Sequence, residues 1–187
     1  MDTIINVDNK QVKFRATART PRLYRAITGR DMIKDMNRLK KAYDNKQNDE
    51  SELDVVDLQI FEDVAYVMAR HANPEIEQKT ADDWLDTFDM FSVYTVLPQI
   101  LKLWKMNTLT TSESKKKVAP RDREPNGAIF MLRCAELNLT KEDLDDMTIG
   151  MVFDMITEKS NDHEKYDIKA PKGSMRAFFQ GKLDLGE

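Results

Sequence analysis

The side chains that most often perform covalent or metal chemistry are few in this chain and lie far apart. The sequence of 187 residues contains two histidines, His71 and His163, and a single cysteine, Cys134. No histidine or second cysteine stands near Cys134, so neither a nucleophile–base pair nor a zinc site is predicted. We expect Cys134 to be a small buried residue and His71 to be a mild cap at the end of a helix.

Two groups of aspartates could in principle hold a cation or exchange protons. Asp82, Asp86 and Asp89 fall on one predicted helical face, but no histidine accompanies them, and a solvated acidic face is the expectation. The second group, Asp143, Asp145 and Asp146, lacks the glycine and the distal glutamate of a calcium loop. There is no glycine-rich phosphate loop. The sequence therefore predicts no catalytic residue, metal or cofactor, and we do not expect an enzyme.

Composition narrows the classes of partner. Hydrophobic residues make up 41% of the chain and charged residues 33%, and the formal charge is -4. An acidic balance argues against nucleic-acid binding, which normally needs a basic domain. The basic run Lys115–Lys117 has acidic neighbours and is typical of a solvated linker. The start of the chain predicts no signal peptide, no apolar run approaches the roughly 20 residues of a membrane span, and one cysteine fits a reducing cytosol.

The chain opens with a pattern typical of a β-hairpin. Ile5 and Val7 alternate with polar residues, and so do Val12 and Phe14. Asp8–Lys10 between them has turn chemistry, because Asp and Asn tolerate unusual backbone angles. Since an isolated hairpin is marginally stable in water, we expect this one to pack on helices.

Helical patterns follow as far as Met106. Five helices are predicted in this segment. The first begins at Thr20-Pro21 and ends at Gly29, and the second runs from Asp31 to about Tyr43. The other three run from Leu53 to Ala72, over a short stretch after Thr80, and from about Asp89 to Met106. Asp44–Glu52 is predicted to be a loop. Pro98 lies inside the last helix and is expected to kink or split it.

A second, smaller helical segment follows a polar join. Residues 108–127 contain two prolines and small polar residues without a period, which indicates a flexible linker. Helices are predicted over Ala128–Leu137, after Thr140 and after Thr148. The predicted organisation is therefore mainly α: a helical N-terminal domain with a short hairpin over residues 1–107, a linker over 108–127, and a small helical module over 128–187 with a loose end.

One apolar patch stands out near the end of the chain. Met175, Phe178 and Phe179 lie close together in an otherwise polar stretch. The chain also contains 11 methionines, most of which are expected to be core residues, while Met175 is the best exception. We therefore predict partner binding by Met175, Phe178 and Phe179.

Several stretches carry a resemblance to a known family. FRATARTPRLYR from Phe14 to Arg25, followed by GRDMIKD from Gly29 to Asp35, resembles the start of tail assembly chaperones from long, non-contractile-tailed phages of Gram-positive bacteria. YTVLPQILKLW, ending at Trp104, is similar to the end of their first domain. LRCAEL from Leu132 and LDDMTIGMVF from Leu144 resemble the extension that many of these proteins acquire by ribosomal frameshifting.

The resemblance implies a role in phage tail morphogenesis. Its expected partners are the tape-measure protein, bound by the first domain, and the major tail-tube protein, recruited by the extension, with self-association also possible. The expected location is the cytoplasm of the infected bacterial host, and the protein would be absent from the mature virion. Two alternatives stay open: a structural head–tail or tail connector of a phage, and an unrelated host-interaction or regulatory module.

Overall fold

The chain begins with a two-stranded antiparallel hairpin, β1 (Asp2–Val7) and β2 (Lys10–Arg15). The computed structural model describes residues 1–47, 53–114 and 124–162. Asp8 and Asn9 have φ values of 49° and 61°, which is the left-handed geometry of a two-residue hairpin turn. Ile5, opposite Val12, and Phe14 share the buried face. The predicted hairpin is thus confirmed.

Eight helices follow within the described ranges. They are α1 (Thr20–Thr28), α2 (Met32–Gln47), α3 (Val55–Ala72), α4 (Ala81–Leu85), α5 (Val93–Asn107), α6 (Gly127–Glu136), α7 (Lys141–Asp146) and α8 (Ile149–Asn161). The mainly α fold with an N-terminal hairpin is therefore confirmed. None of the helices in the described ranges is long and apolar enough to cross a membrane.

The principal apolar cluster lies between the hairpin and helices α1 to α5. α3 is its central element, because it is buried along nearly its whole length. Trp84 of α4 packs its ring against Phe14 of β2, at a centroid distance of 6.4 Å, and against Tyr66 of α3, at 6.0 Å. These contacts hold the hairpin on the helices. An isolated hairpin is only marginally stable, so it needs such packing.

Several predicted boundaries were wrong. α2 continues through Asp44 to Gln47, where a loop was predicted. α5 begins at Val93, after Ser92, because the preceding stretch packs Phe88 and Phe91 against Trp84 instead of coiling. α5 also continues across Pro98, so the predicted split is not observed, and burial of the apolar face of α5 offsets the hydrogen bond that the proline removes.

A second apolar cluster joins the two segments of the chain. We call it the junction cluster. Its buried members are Ala18 and Ile33 from the first segment and Phe130, Cys134, Leu144, Ile149 and Val152 from the second. The second segment therefore completes its core on the first segment. The domain boundaries themselves stay a prediction.

Part of the predicted linker is bound to α8. The backbone N–H groups of Thr111 and Ser112 each donate to Asp154, at 2.9 Å, and the carbonyl of Glu113 accepts from Asn161. The expectation of a free tether over all of residues 108–127 is thus wrong for its first part. Residues 115–123, including Lys115–Lys117, lie outside the described residues.

Candidate binding groove between the two segments

An apolar groove with a volume of about 610 Å³ lies where the two segments meet. α2 and α5 form one side of it, and α6 and α8 form the other. Its apolar lining consists of Ile33, Met36, Tyr43, Pro98, Leu101, Trp104, Ile129, Phe130, Ile149 and Phe153. A volume of this size and an apolar lining are typical of binding sites in proteins.

Asp31 positions α6 beside α2. Its carboxylate accepts from the backbone N–H of Ile33, as the predicted cap of α2. The same carboxylate accepts from the backbone N–H of Gly127, with oxygen–nitrogen distances of 2.8 and 3.0 Å. Asn126 caps α6 by accepting from Ile129. One aspartate therefore joins the beginnings of two helices from different segments.

Asn107 positions α8 from within the fold. Its side chain is fully buried, donates to the carbonyl of Thr17 and accepts from the N–H of Ile149, both at 3.3 Å. Thr148 caps α8 by accepting from Met151. The end of α5, the loop after the hairpin and the beginning of α8 are thus fixed relative to one another.

Gly150 permits the closest approach between the segments. A Cβ atom at this position would lie 1.8 Å from the carbonyl oxygen of Leu109. Because this neighbour is backbone, no change of side-chain rotamer would relieve the overlap. Glycine is thus needed for α8 to pack against the residues that follow α5.

Trp104 connects the groove with both cores. It is half-buried, packs against the principal cluster and against the junction cluster, and lines the groove. Most residues of its helix are apolar, but Lys102 and Lys105 on the same helix are exposed, and the indole of Trp104 is not fully enclosed. A half-exposed tryptophan in a groove is typical of binding surfaces, because its ring offers a large rigid contact area.

The rim of the groove is positively charged. Lys40, Lys102 and Lys105 line it and are exposed, and Asp44 is the one acidic residue of the lining. Within the described ranges, none of these three lysines forms a salt bridge. Their charges are therefore presented to solvent at the edge of an apolar surface.

A second cavity, of about 840 Å³, lies on another face and contains His71. His71 is buried, contrary to the expected capping role. Its Nδ1 lies 3.2 Å from Oγ1 of Thr20, and its Nε2 lies 3.1 Å from Oδ1 of Asp145. Arg19 also donates to Asp145. We call these four residues the polar junction, because Asp145 belongs to α7 and the other three belong to the first segment.

A neutral His71 with its proton on Nε2 satisfies the polar junction. The Thr20 hydroxyl then donates to Nδ1, and Nε2–H donates to Asp145. Burial lowers the pKa of His71 below its ordinary value of 6.5, although Asp145 acts in the opposite direction. Burial raises the pKa of Asp145, but its hydrogen bonds with His71 and Arg19 outweigh this and hold the pKa below 3.8.

The order hydroxyl, imidazole, carboxylate in the polar junction is also that of a catalytic triad. Thr20, however, is fully buried, and its oxygen already accepts from the N–H of Thr17 at 2.8 Å. The hydroxyl is therefore not presented to a substrate. These hydrogen bonds are suited to holding α7 on the first segment.

The surroundings of the other candidate residues from the sequence do not indicate a reactive or metal-binding site. Cys134 is buried as expected, and burial raises the pKa of its thiol to about 11. Asp82, Asp86 and Asp89 are exposed, but α4 ends at Leu85, so they do not share a helical face. In the part of the chain that the structure describes, no group of three or more His, Cys, Asp or Glu residues could hold a metal ion.

The sequence-predicted partner residues Met175, Phe178 and Phe179 lie outside the described residues, as does His163. The structure instead brings together residues that sequence reasoning missed, above all His71 with Asp145 and the two sides of the groove. Nothing in the sequence pairs these residues, because they are far apart along the chain. Among the groove residues, the sequence draws attention only to Trp104, because it lies in a predicted helix whose residues are mostly apolar.

No protein-family model, curated protein or solved structure matches this chain.

Proposed function

We propose that this protein is a tail assembly chaperone of a long, non-contractile-tailed phage, which binds the tape-measure protein and recruits tail-tube subunits. The resemblance over Phe14–Arg25, Gly29–Asp35 and the helix ending at Trp104 supports the family. The observation that carries the binding function is the apolar groove beside Trp104. A tape-measure protein is long and largely helical, and an amphipathic helix can lay its apolar face into such a groove.

A chaperone of this kind acts by covering apolar surface before assembly. Exposed apolar stripes on a long helix promote aggregation, and burial in a groove removes them from water. A site for tube subunits on the same chain raises their effective concentration near the bound helix. The protein would act in the cytoplasm of the infected host and would be absent from the mature virion.

Co-expression with the tape-measure protein from the same phage genome tests the proposal. The full chain should increase the soluble fraction of the tape-measure protein. Replacing Leu101 and Phe153, which line the groove, with Gln should abolish this effect. The matched control replaces two exposed apolar residues outside the groove, Leu132 and Met151, with Gln. If both double variants keep the partner soluble, the groove is not the binding site.

Recruitment of tube subunits has a separate test. Phe178→Ser together with Phe179→Ser should weaken capture of the major tail-tube protein and leave the solubility of the tape-measure protein unchanged. Equal capture by this variant and the unchanged chain would refute the assignment of these residues. Detection of the protein in purified particles would favour the alternative of a structural connector.

A further inference from the structure

The groove presents two chemistries side by side. Its floor is apolar and includes the buried side chains of Met36, Phe130 and Ile149. Its edge carries Lys40, Lys102 and Lys105, which form no ion pair within the described ranges, and one carboxylate, Asp44. The rim therefore has a net charge of about +2 at neutral pH, counting three lysines and one aspartate.

This rim contrasts with the rest of the molecule. The whole chain has a formal charge of -4. A local excess of lysines around an apolar surface on an acidic protein selects partners by charge, because like charges at a rim repel and opposite charges steer association.

We infer that the groove binds one amphipathic helix whose apolar stripe is flanked by Glu or Asp side chains. The apolar stripe would contact Leu101, Trp104 and Phe153, and the flanking carboxylates would face the three rim lysines. The inference rests on the proposed function and adds the chemistry of the tape-measure segment that is bound. Helices bound in grooves typically use apolar anchors at positions i, i+3 or i+4, and i+7.

Two other occupants fit the charges less well. The chain's own apolar stretch contains Arg176 between Met175 and Phe178, and Lys172 and Lys182 stand on either side of it. These basic residues would face a basic rim. In a symmetric dimer formed groove to groove, the two basic rims would face each other, so the rim lysines would again repel.

Designed peptides test the inference on the full chain. Three fluorescent 18-residue helical peptides would be compared by anisotropy: one with a leucine stripe flanked by Glu, one with the same stripe flanked by Lys, and one with the Glu composition but scrambled leucines. The Glu-flanked peptide should bind roughly ten-fold more tightly than the Lys-flanked peptide. Its advantage should decrease as salt rises, because exposed charges are screened. The scrambled peptide should not bind.

A charge-reversed variant supplies the decisive comparison. The variant combines Lys40→Glu, Lys102→Glu and Lys105→Glu. It should bind the Lys-flanked peptide more tightly than the Glu-flanked peptide, while circular dichroism shows an unchanged helix content. Three exposed lysines away from the groove, Lys34, Lys79 and Lys141, replaced in the same way should leave the order unchanged. Equal affinity for the Glu- and Lys-flanked peptides, or no binding of either, would overturn the inference.

The remaining outcomes identify other occupants. If Phe178→Ser with Phe179→Ser raises peptide affinity, the chain's own end occupies the groove and the inference is wrong. A dimer that dissociates on charge reversal would assign the groove to a second copy. Charge-selective peptide binding without any effect on the tape-measure protein would preserve this inference and refute the proposed function, whereas solubilisation without charge selectivity would do the reverse.

Discussion

His71 links the two segments through hydrogen bonds rather than through apolar contacts. It bonds Thr20 on one side and Asp145 on the other, and it is buried. Unpaired buried polar groups are costly, so each partner in such an arrangement depends on the others. At the scale of single residues, the attachment of α7 therefore depends on the protonation state of one imidazole.

The pH dependence of stability should report His71. Because its pKa is lower in the folded protein than the ordinary 6.5, the unfolded chain binds more protons in this range. The stability that His71 contributes is thus present above pH 6.5 and is lost as the pH falls through its lower folded pKa. Urea midpoints measured from pH 8 to pH 5 should decrease, and His71→Gln should flatten this dependence.

The second histidine of the sequence provides the control for that measurement. His163→Gln removes the same titrating group elsewhere and should leave the decrease in place. If His163→Gln flattens the profile and His71→Gln does not, the assignment of the pH dependence to the polar junction is wrong. The pKa of Asp145 is held below 3.8 by its hydrogen bonds, so this group does not titrate between pH 8 and pH 5.

The loss in the free energy of unfolding caused by Trp104→Ala should show that this residue is only half-buried. Full burial of a Phe or Trp makes truncation to Ala cost about 3–5 kcal/mol. Because Trp104 is partly exposed in the groove, we expect a smaller loss in the free energy of unfolding, about 1–3 kcal/mol. Trp84→Ala, at a fully enclosed position in the aromatic contacts, is the comparison and should cost more. Equal losses in chemical denaturation would mean that Trp104 is core and that the groove is closed.

At the scale of elements, the helix beginnings explain much of the architecture. Thr80, Thr140 and Thr148 cap α4, α7 and α8 by accepting from the N–H three residues later, and Asp143 completes a capping box with Thr140. The turn between α7 and α8 is also fixed, because the carbonyls of Leu144 and Met147 accept from Arg19 and Ala18. Capping thus defines the helices, and tertiary hydrogen bonds place them.

Gly150→Ala tests the packing of α8. Gly150 is the second residue of α8, and alanine stabilises a helix relative to glycine by up to about 1 kcal/mol, the value for a helix interior, so propensity alone predicts a gain. The overlap with the Leu109 carbonyl predicts the opposite sign, a loss of about 1–3 kcal/mol from overpacking. Urea denaturation gives the sign directly.

Gly127→Ala is the matched control for that substitution. The nearest atoms to a Cβ at Gly127 are the carboxylate oxygens of Asp31 at 3.3 Å, which belong to a side chain that can shift. Its effect on stability should therefore be smaller than that of Gly150→Ala. A gain in stability for Gly150→Ala would show that α8 and the residues after α5 are not in close contact.

At the scale of the whole molecule, the junction cluster makes the two segments interdependent. The second segment is small, and small helical units seldom bury enough apolar surface to be stable alone. Phe130 and Val152 are buried in a cluster with Ala18 and Ile33 of the first segment. The groove also needs both segments, so its apolar floor would be incomplete without α6 and α8.

Limited trypsin digestion should cut the chain between the two segments without making the segments dissociate. The composition of residues 115–123, with Lys115–Lys117, Arg121 and Arg123 as trypsin sites, predicts cleavage there. The two fragments should nevertheless elute together in gel filtration, because the junction cluster and the polar junction hold them. Fragments that elute apart, or a chain that resists trypsin throughout, would contradict this prediction.

The local structure follows from residues that stand close together in the chain. The alternation of Ile5 and Val7, the turn residues Asp8 and Asn9, and the capping threonines act within a few residues, so they predict the hairpin and most helix beginnings correctly. The end of α2 and the start of α5 were predicted less well, and at α5 the contact of Phe91 with Trp84 overrides local preference. The family resemblance gave a functional hypothesis, which stays a prediction.

The place where the two segments meet depends on long-range packing, which local residue patterns do not predict. His71 and Asp145 become neighbours because α3 and α7 pack on the same loop, and the groove forms because Asp31 and Asn107 fix α6 and α8 beside α2 and α5. Such contacts depend on the relative placement of elements far apart in the chain, which no periodicity or capping residue encodes. The polar join therefore predicts a linker between two modules, whereas buried residues on both sides of it pack the two segments against each other.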